Sequence, residues 1–530
     1  MNGILSLSSV PQEVLEHIAF FTATDTFLGP PSSLLPLLLT SRRINASLSI
    51  TANHHLYADI FCHKFDIAAP MARLGVDRLT SWALADELRR RCVVLQRLRD
   101  RLDSTTHARH ADGADNRMSV YDVLFTAYIM MLEDEGKNKR QLVEYGLIST
   151  WIREFWFNPH GSSLAIYNIR TGQWPLNCPE TALGRYFSWF WSDDQFVEDY
   201  TAHVNDGVES PLNILKAMAL GAHVYHITSS EWADFDPIFV KPAEWTTCTT
   251  LYSESMELTP PPLATPAILS YLALVNKKRS IPLPPSDSPL PEEPFREWDS
   301  EWGRCFTKAK RNLRECFRPG SIEGVWEGFF TYTEFTVYAA LLGGAPPTII
   351  QKSIVGRHQQ TWKLREHHLL AADPSGSDSG IDMDIEHVPP LRGGDPLRSY
   401  FPTGTQIREH RDGLTVQDSG TGQMYRYQRP SILEGREQEE DAVDPLVKDI
   451  IITGEGHSAW GQFNLVGRIR PCDGFISLSK DYVDGDRGKW LYRGFLVGNE
   501  NGNFAGRWRD TLSPADVPGY EGCFGMSRRR

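Results

Sequence analysis

The chain has 530 residues, a formal net charge of −13 and a hydrophobic fraction of 41%, with 15 Trp, 25 Phe and 18 Tyr. That much apolar and aromatic material excludes a wholly disordered chain, and the acidic balance argues against a broad nucleic-acid-binding surface. The length leaves room for about three or four domains.

No run reaches the ~18 apolar residues of a membrane span. The first residues lack a basic segment followed by an apolar one, so they do not read as a secretory leader. The eight Cys are scattered without a C-x-x-C pair, which argues against a structural zinc site and a disulfide framework. The expectation is a protein of the cytoplasm, the nucleus or both. It would have no metal ligands or cofactor, and neither a membrane nor nucleic acid as partner.

Residues 1–70 read as short helices. Ser9 is placed to cap the first, with Pro11 in its opening turn and Val14, Leu15 and Ile18 at helical spacing. Gly29-Pro30-Pro31 breaks the chain before Leu34–Leu39. A region over 71–257 follows, helical and rich in aromatics. Leu84, Leu88, Cys92, Leu95, Leu98 and Leu102 step by three and four, and Val120 to Leu132 repeats the pattern. Trp151, Phe155, Trp156, Phe187, Trp189 and Phe190 read as core, and Leu212 to Ala219 as another helix. Proline then becomes dense over 258–300, which reads as an extended linker interrupted by a short helix from Ala267 to Val275. A helix follows at about 301–317 and stops at Pro319-Gly320.

From Ile322 the period changes to two, and residues 301–530 read as a C-terminal β-domain. Strands are expected at Val325–Phe330, Phe335–Leu342, Ile450–Ile452, Gln462–Ile469, Phe475–Leu478, Trp490–Val497, Asn503–Arg509 and Gly522–Met526, a spacing that suggests a sandwich or barrel. Residues 372–387 read as a disordered acidic loop, and Glu434–Asp444 as a polar one. The fold class is α+β: a helical N-terminal part followed by an antiparallel, barrel-like domain.

Enzyme signatures fail on inspection. Gly456-His457-Ser458-Ala459-Trp460 lacks the second glycine of a nucleophile elbow and lies between strands. His54-His55 and His367-His368 are adjacent, not spaced by four as two zinc ligands on one helix face would be. No catalytic residue is assigned. Asp378-Ser379-Gly380-Ile381-Asp382 is similar to part of a phosphorylation-dependent degradation signal, but Met383 stands where that signal has its second Ser; an ordinary acidic loop is the simpler reading. Trp alternates with Arg in Trp490-Leu491-Tyr492-Arg493 and Arg507-Trp508-Arg509, so Trp and Arg occupy opposite faces of their strands. Arg493, Arg507 and Arg509 are the candidates for a polar rim that touches a ligand or target.

Three N-terminal blocks resemble an F-box: Val10-Pro11-x-Glu13-Val14-Leu15-x-x-Ile18, then Leu37-Leu38-Leu39-Thr40-Ser41-Arg42-Arg43, then Leu56-Tyr57 with Ile60-Phe61. Val10 replaces the usual Leu, Tyr57 replaces Trp, and the stretch Thr22–Ser33 is longer than typical. The whole chain resembles a family of fungal F-box proteins. Its C-terminal part is similar to a calycin or lipocalin-like barrel, through Glu323-Gly324-Val325-Trp326-Glu327-Gly328 and Gly454–Phe463.

The resemblance implies a substrate receptor of an SCF-type cullin–RING ubiquitin ligase. It would dock on the Skp adaptor, and through it on the cullin scaffold, and recruit an unknown protein target through the β-domain. The residues implied for adaptor binding are Pro11, Glu13, Leu15, Ile18, Leu37, Leu38 and Ile44. A helical unit of about 60 residues rarely buries enough surface to stand alone, so part of it should await a partner. The alternative reading is a small-molecule-binding or sensor barrel with no ligase role, since barrels of about eight strands can hold one small ligand.

Overall fold

The structure is a computed structural model and describes residues 10–107, 118–190, 207, 210–228, 235, 247–275, 294–306, 313–370, 389–430, 447–485, 487–498 and 502–529. Ser9, Ser379, the acidic loop at 372–387 and the polar loop at 434–444 lie outside these residues. The chain divides into two compact units. One is Met1–Leu164 with Cys248–Glu257 and Leu290–Arg296; the other is Ala165–Thr247 with Leu258–Pro289 and Glu297–Arg530.

The first unit is helical. Its elements are α1 (Gln12–Thr24), α2 (Leu34–Leu38), α3 (Arg42–Leu48), α4 (His54–Lys64), α5 (Ala68–Leu74), α6 (Ser81–Arg99), α7 (Val120–Leu132), α8 (Lys137–Arg140) and α9 (Ile148–Phe157). Most of a hairpin, β1 (Thr247–Leu251) and β2 (Glu254–Leu258), joins them. Local chemistry sets the helix starts. Pro11 stands at the N-cap of α1, Ser41 and Asn53 cap α3 and α4 through their side chains, and Ser119 with Asp122 forms a complete capping box on α7. The first four helices do not stand apart from the rest of this unit, because α4 packs along α6. The stripe Leu84, Leu88, Cys92, Leu95, Leu98 of α6 is buried, as its spacing predicts.

At the centre of this unit lies a buried cation. Arg91 on α6 bonds Glu87 at 3.0 Å, Glu133 at 2.5 Å and the Tyr252 hydroxyl at 2.9 Å, with its guanidinium 5.0 Å from the centre of the Phe61 ring. Two carboxylates and a ring face replace the water it loses, and they tie α4, α6, α7 and the hairpin together.

The second unit is a barrel with a helical cover. Its helices are α10 (Ala165–Arg170), α11 (Pro179–Phe190), α12 (Pro211–Leu220), α13 (Ala264–Val275), α14 (Asp299–Cys305), α15 (Leu313–Cys316), α16 (Phe335–Leu342) and α17 (Thr348–Lys352). Its strands are β3 (Gly324–Thr333), β4 (Val355–Leu370), β5 (Gln406–Glu409), β6 (Gly413–Gln417), β7 (Met424–Gln428), β8 (Val447–Ser458), β9 (Gly461–Ile469), β10 (Ile476–Tyr482), β11 (Lys489–Val497), β12 (Asn503–Asp510) and β13 (Glu521–Arg528). The order β3-β13-β12-β11-β10-β9-β8-β4 returns to β3, so eight antiparallel strands close without a free edge. Strands β7-β6-β5 extend the sheet from the far end of β4, at His368↔Gln428.

Two expectations are corrected and one is extended. Phe335–Leu342 is a helix, not a strand; its buried residues Tyr338 and Leu341 are spaced by three, and a short apolar run does not reveal its period. The helix expected at Ala267–Val275 in the proline-dense stretch is present as α13 and starts three residues earlier, at Ala264; it is buried along nearly its whole length and packed on α11 and α12. Pro266 falls in its first turn, where its missing N–H is harmless. The helix expected over 301–317 is two short ones, α14 and α15, separated by residues 307–312, which lie outside the described set.

Candidate functional site

Inward positions alternate along every barrel strand. They carry Trp326 and Phe330 from β3, Trp362 and Leu364 from β4, Phe463 and Leu465 from β9, Ile476, Leu478 and Tyr482 from β10, Tyr492 from β11, Trp508 from β12 and Phe524 from β13. Glycine makes space for the larger rings. A Cβ on Gly456 would lie 2.5 Å from the Phe463 ring, and one on Gly522 would lie 2.5 Å from the Trp508 ring.

The two ends of the barrel differ. At one end Leu313, Phe317 and Ile322 join the core, and Glu366 accepts the backbone N–H groups of Gly320 and Ile322 at 2.7 and 2.8 Å, pinning that segment. At the other, the hairpin turn Ala459-Trp460 between β8 and β9 lays Trp460 over Phe330, with ring centres 5.2 Å apart, beside Tyr332 and His358. This second end is an aromatic collar, and Trp460 remains 36% exposed.

Beneath the collar, strand β10 turns one charged residue inward. Ile476, Leu478 and Tyr482 share their face with Lys480, while Ser477, Ser479 and Asp481 point away. Lys480 is 1% exposed. Its Nζ donates to Gln360 Oε1 at 3.1 Å and lies 3.8 Å from the centre of the Phe463 ring, 5.0 Å from Tyr482, and 5.3 Å from both Phe330 and Tyr492. Gln360 is itself buried, with its Nε2 directed at Met526 Sδ. Among the described residues no carboxylate pairs with Lys480. Burial without a counter-charge lowers its pKa from the ordinary 10.5 to about 7. A lysine in that state is partly a neutral amine at physiological pH, able to act as base or nucleophile.

The residues singled out from the sequence fall elsewhere. Arg493, Arg507 and Arg509 occupy the outer face of the barrel, but they are buried and form no solvent-facing rim. Arg507 donates to Ala219 O at 2.7 Å and Tyr225 O at 3.0 Å, the first a carbonyl of the last turn of α12. Arg509 binds the carbonyls of Ser513 and Pro514 in the β12–β13 loop, and Arg493 lies 3.5 Å from Glu521. Their work is to fasten cover and loop to the barrel wall.

Ser458 stands at the collar with its hydroxyl 3.3 Å from that of Tyr482, on a turn joining two strands. His367 contacts Thr453 at 2.9 Å, and burial pushes its pKa down to about 3; His368 contacts Glu366 at 2.8 Å. No cluster of three metal-ligating side chains occurs among the described residues, and none of their helices is long and apolar enough to cross a membrane.

The residues named for adaptor docking divide by exposure. Pro11, Glu13 and Ile18 are exposed, and Leu37 and Leu38 are half-buried, whereas Leu15 and Ile44 are core residues at 4% and 2%. The last two pack inward in this chain. The exposed apolar positions here are Val14, Ile18 and Phe21 on α1, spaced by four and three, with Leu35 on α2 and Leu39 at its C-cap, spaced by four. Phe21 and Leu39 are 67% and 72% exposed.

The site thus belongs to an α+β protein in which a helical unit precedes a closed eight-stranded antiparallel barrel. Comparison with known protein families, curated proteins and solved structures finds no match to this chain.

Proposed function

We propose that the protein is a non-catalytic receptor subunit of an SCF-type cullin–RING ubiquitin ligase. Its N-terminal helices would dock on the Skp adaptor and its β-domain would bring a protein target. The observation that carries this reading is the apolar stripe Val14, Ile18, Phe21 on α1, left exposed together with Leu35 of the neighbouring α2 and its C-cap Leu39. Exposed apolar residues at helical spacing mark a surface that gains from a partner. The F-box-like blocks of the sequence name that partner. Ubiquitin transfer itself would fall to the ligase's other subunits, which hold the target close to the reactive centre.

The test is capture of purified Skp adaptor by the full chain, compared with an Ile18→Asp, Phe21→Asp variant whose helicity is checked by circular dichroism. Both side chains are exposed, so the variant keeps its fold. Binding by the wild type that falls at least tenfold in the variant is the expected result. A folded wild type that captures no adaptor overturns the reading.

A further inference from the structure

A lysine facing into a closed barrel is out of keeping with its neighbours, and the receptor reading gives it no task. A buried ammonium commonly has a carboxylate beside it; Lys480 has one amide oxygen and four aromatic rings. A simple core position would be served better by Leu or Met, which carry no desolvation cost. The chemistry such surroundings favour is that of an unprotonated primary amine held against flat apolar walls.

We propose that Lys480 is a carbonyl-capture site, its Nζ forming an imine with a small flat aldehyde admitted through the Trp460 end of the barrel. The Nζ lone pair attacks the carbonyl carbon, and the C=O π pair moves to oxygen. A proton passes from nitrogen to that oxygen to give the carbinolamine, and loss of water leaves the imine. No oxidant or reductant is consumed, and hydrolysis reverses the step. Gln360 Oε1 is placed to accept a hydrogen bond from the amine nitrogen, and the Phe463 ring lies 3.8 Å from it.

Access runs past the collar. Trp460 lies against Phe330 and Phe330 against Lys480, so the proposed route passes the part-exposed Trp460. The rings that wall the amine select a flat aldehyde over a branched one. At pH 7 the neutral fraction of Lys480 exceeds that of an ordinary surface lysine on the order of 10³-fold, given pKa values of about 7 and 10.5. This inference does not depend on the adaptor reading.

The experiment incubates the full chain at pH 7 with benzaldehyde and cyanoborohydride, which reduces the imine to a stable benzyl amine, and maps the modified peptides by mass spectrometry. Lys480 should be benzylated at least tenfold faster than any surface lysine, with a rate that climbs through pH 7 and then levels. Trp460→Ala should raise that rate severalfold. Lys480→Met should lose the fast adduct while keeping the fold. Should that variant fail to fold, the wild-type map and its pH profile still decide. An unmodified Lys480 beside labelled surface lysines, or labelling at the surface rate, overturns the proposal.

Discussion

Both units bury cations, and two of these, Arg91 and Lys480, are met by their surroundings in opposite ways. Arg91 of the helical unit is held by Glu87 and Glu133, capped by Tyr252 and overlaid by Phe61. Its charge is met on every side and holds four elements together. Lys480 of the barrel has no carboxylate beside it and is pushed toward its neutral form by burial. The contrast separates a structural cation, which raises the pairing of its surroundings, from one whose surroundings leave it uncharged and available. Burial alone does not tell them apart, because both are about 1% exposed or less.

The comparison can be broken most sharply at Arg91. Arg91→Met leaves Glu87 and Glu133 buried without a counter-ion, and the expected loss is about 3–5 kcal/mol in urea unfolding followed at the helical CD band. A loss under ~1 kcal/mol would mean the cluster is not what joins α4, α6 and α7.

Lys480→Met should act in the other direction, and its effect should depend on pH. The folded pKa is about 7, against 10.5 for an ordinary lysine. Below pH 7 both states are protonated and the cost of burying the ammonium is present in full. Between about pH 7 and 10.5 the unfolded chain binds the proton that the folded chain has released, so wild-type stability rises with pH. The advantage of Lys480→Met should therefore be largest at pH 6–7 and shrink above it, by up to about 1.4 kcal/mol per pH unit. Stability curves of both proteins from pH 6 to pH 10 check this, and parallel curves would refute it.

A third change tests the fit between glycine and ring inside the barrel. Gly522→Val would place its Cβ 2.1 Å from the Thr331 carbonyl oxygen and 2.5 Å from the Trp508 ring, and overpacking of this kind costs about 1–3 kcal/mol, read from the thermal midpoint of near-UV CD. The smallest effect is expected on the helical surface, where Phe21→Asp should change stability by no more than about 0.5 kcal/mol while weakening adaptor capture. A large destabilisation there would mean that Phe21 belongs to the core.

Much of the fold was legible because its periods are clean. The stepping of Leu84 to Leu98 gave α6, and the Trp–Arg alternation correctly set Trp508 opposite Arg507 and Arg509. That alternation does not reveal that the outer face is covered in its turn, which is why three buried arginines read as a rim. The long strand β4 was missed altogether. Its Arg, His, Gln and Lys residues hide the alternation, and its inward Gln360 and Glu366 are polar for specific reasons: one faces Lys480 and the other closes an end of the barrel.

Lys480 had a visible signal. In Ile476-Ser477-Leu478-Ser479-Lys480-Asp481-Tyr482 it occupies the apolar register, but ending the strand at Leu478 placed it in a turn. On the helical side, spacing identified α1 without distinguishing Leu15, which packs, from its exposed neighbour Val14. That choice depends on which side the other helices occupy.

The most direct test of the contrast between the two cations is a lysine NMR titration of the full chain, with 13C at Cε, compared with Lys480→Met. One resonance should titrate near pH 7 and vanish in the variant. If every lysine resonance titrates above pH 10, Lys480 is a charged, ordinarily solvated side chain and the account of the barrel interior is wrong.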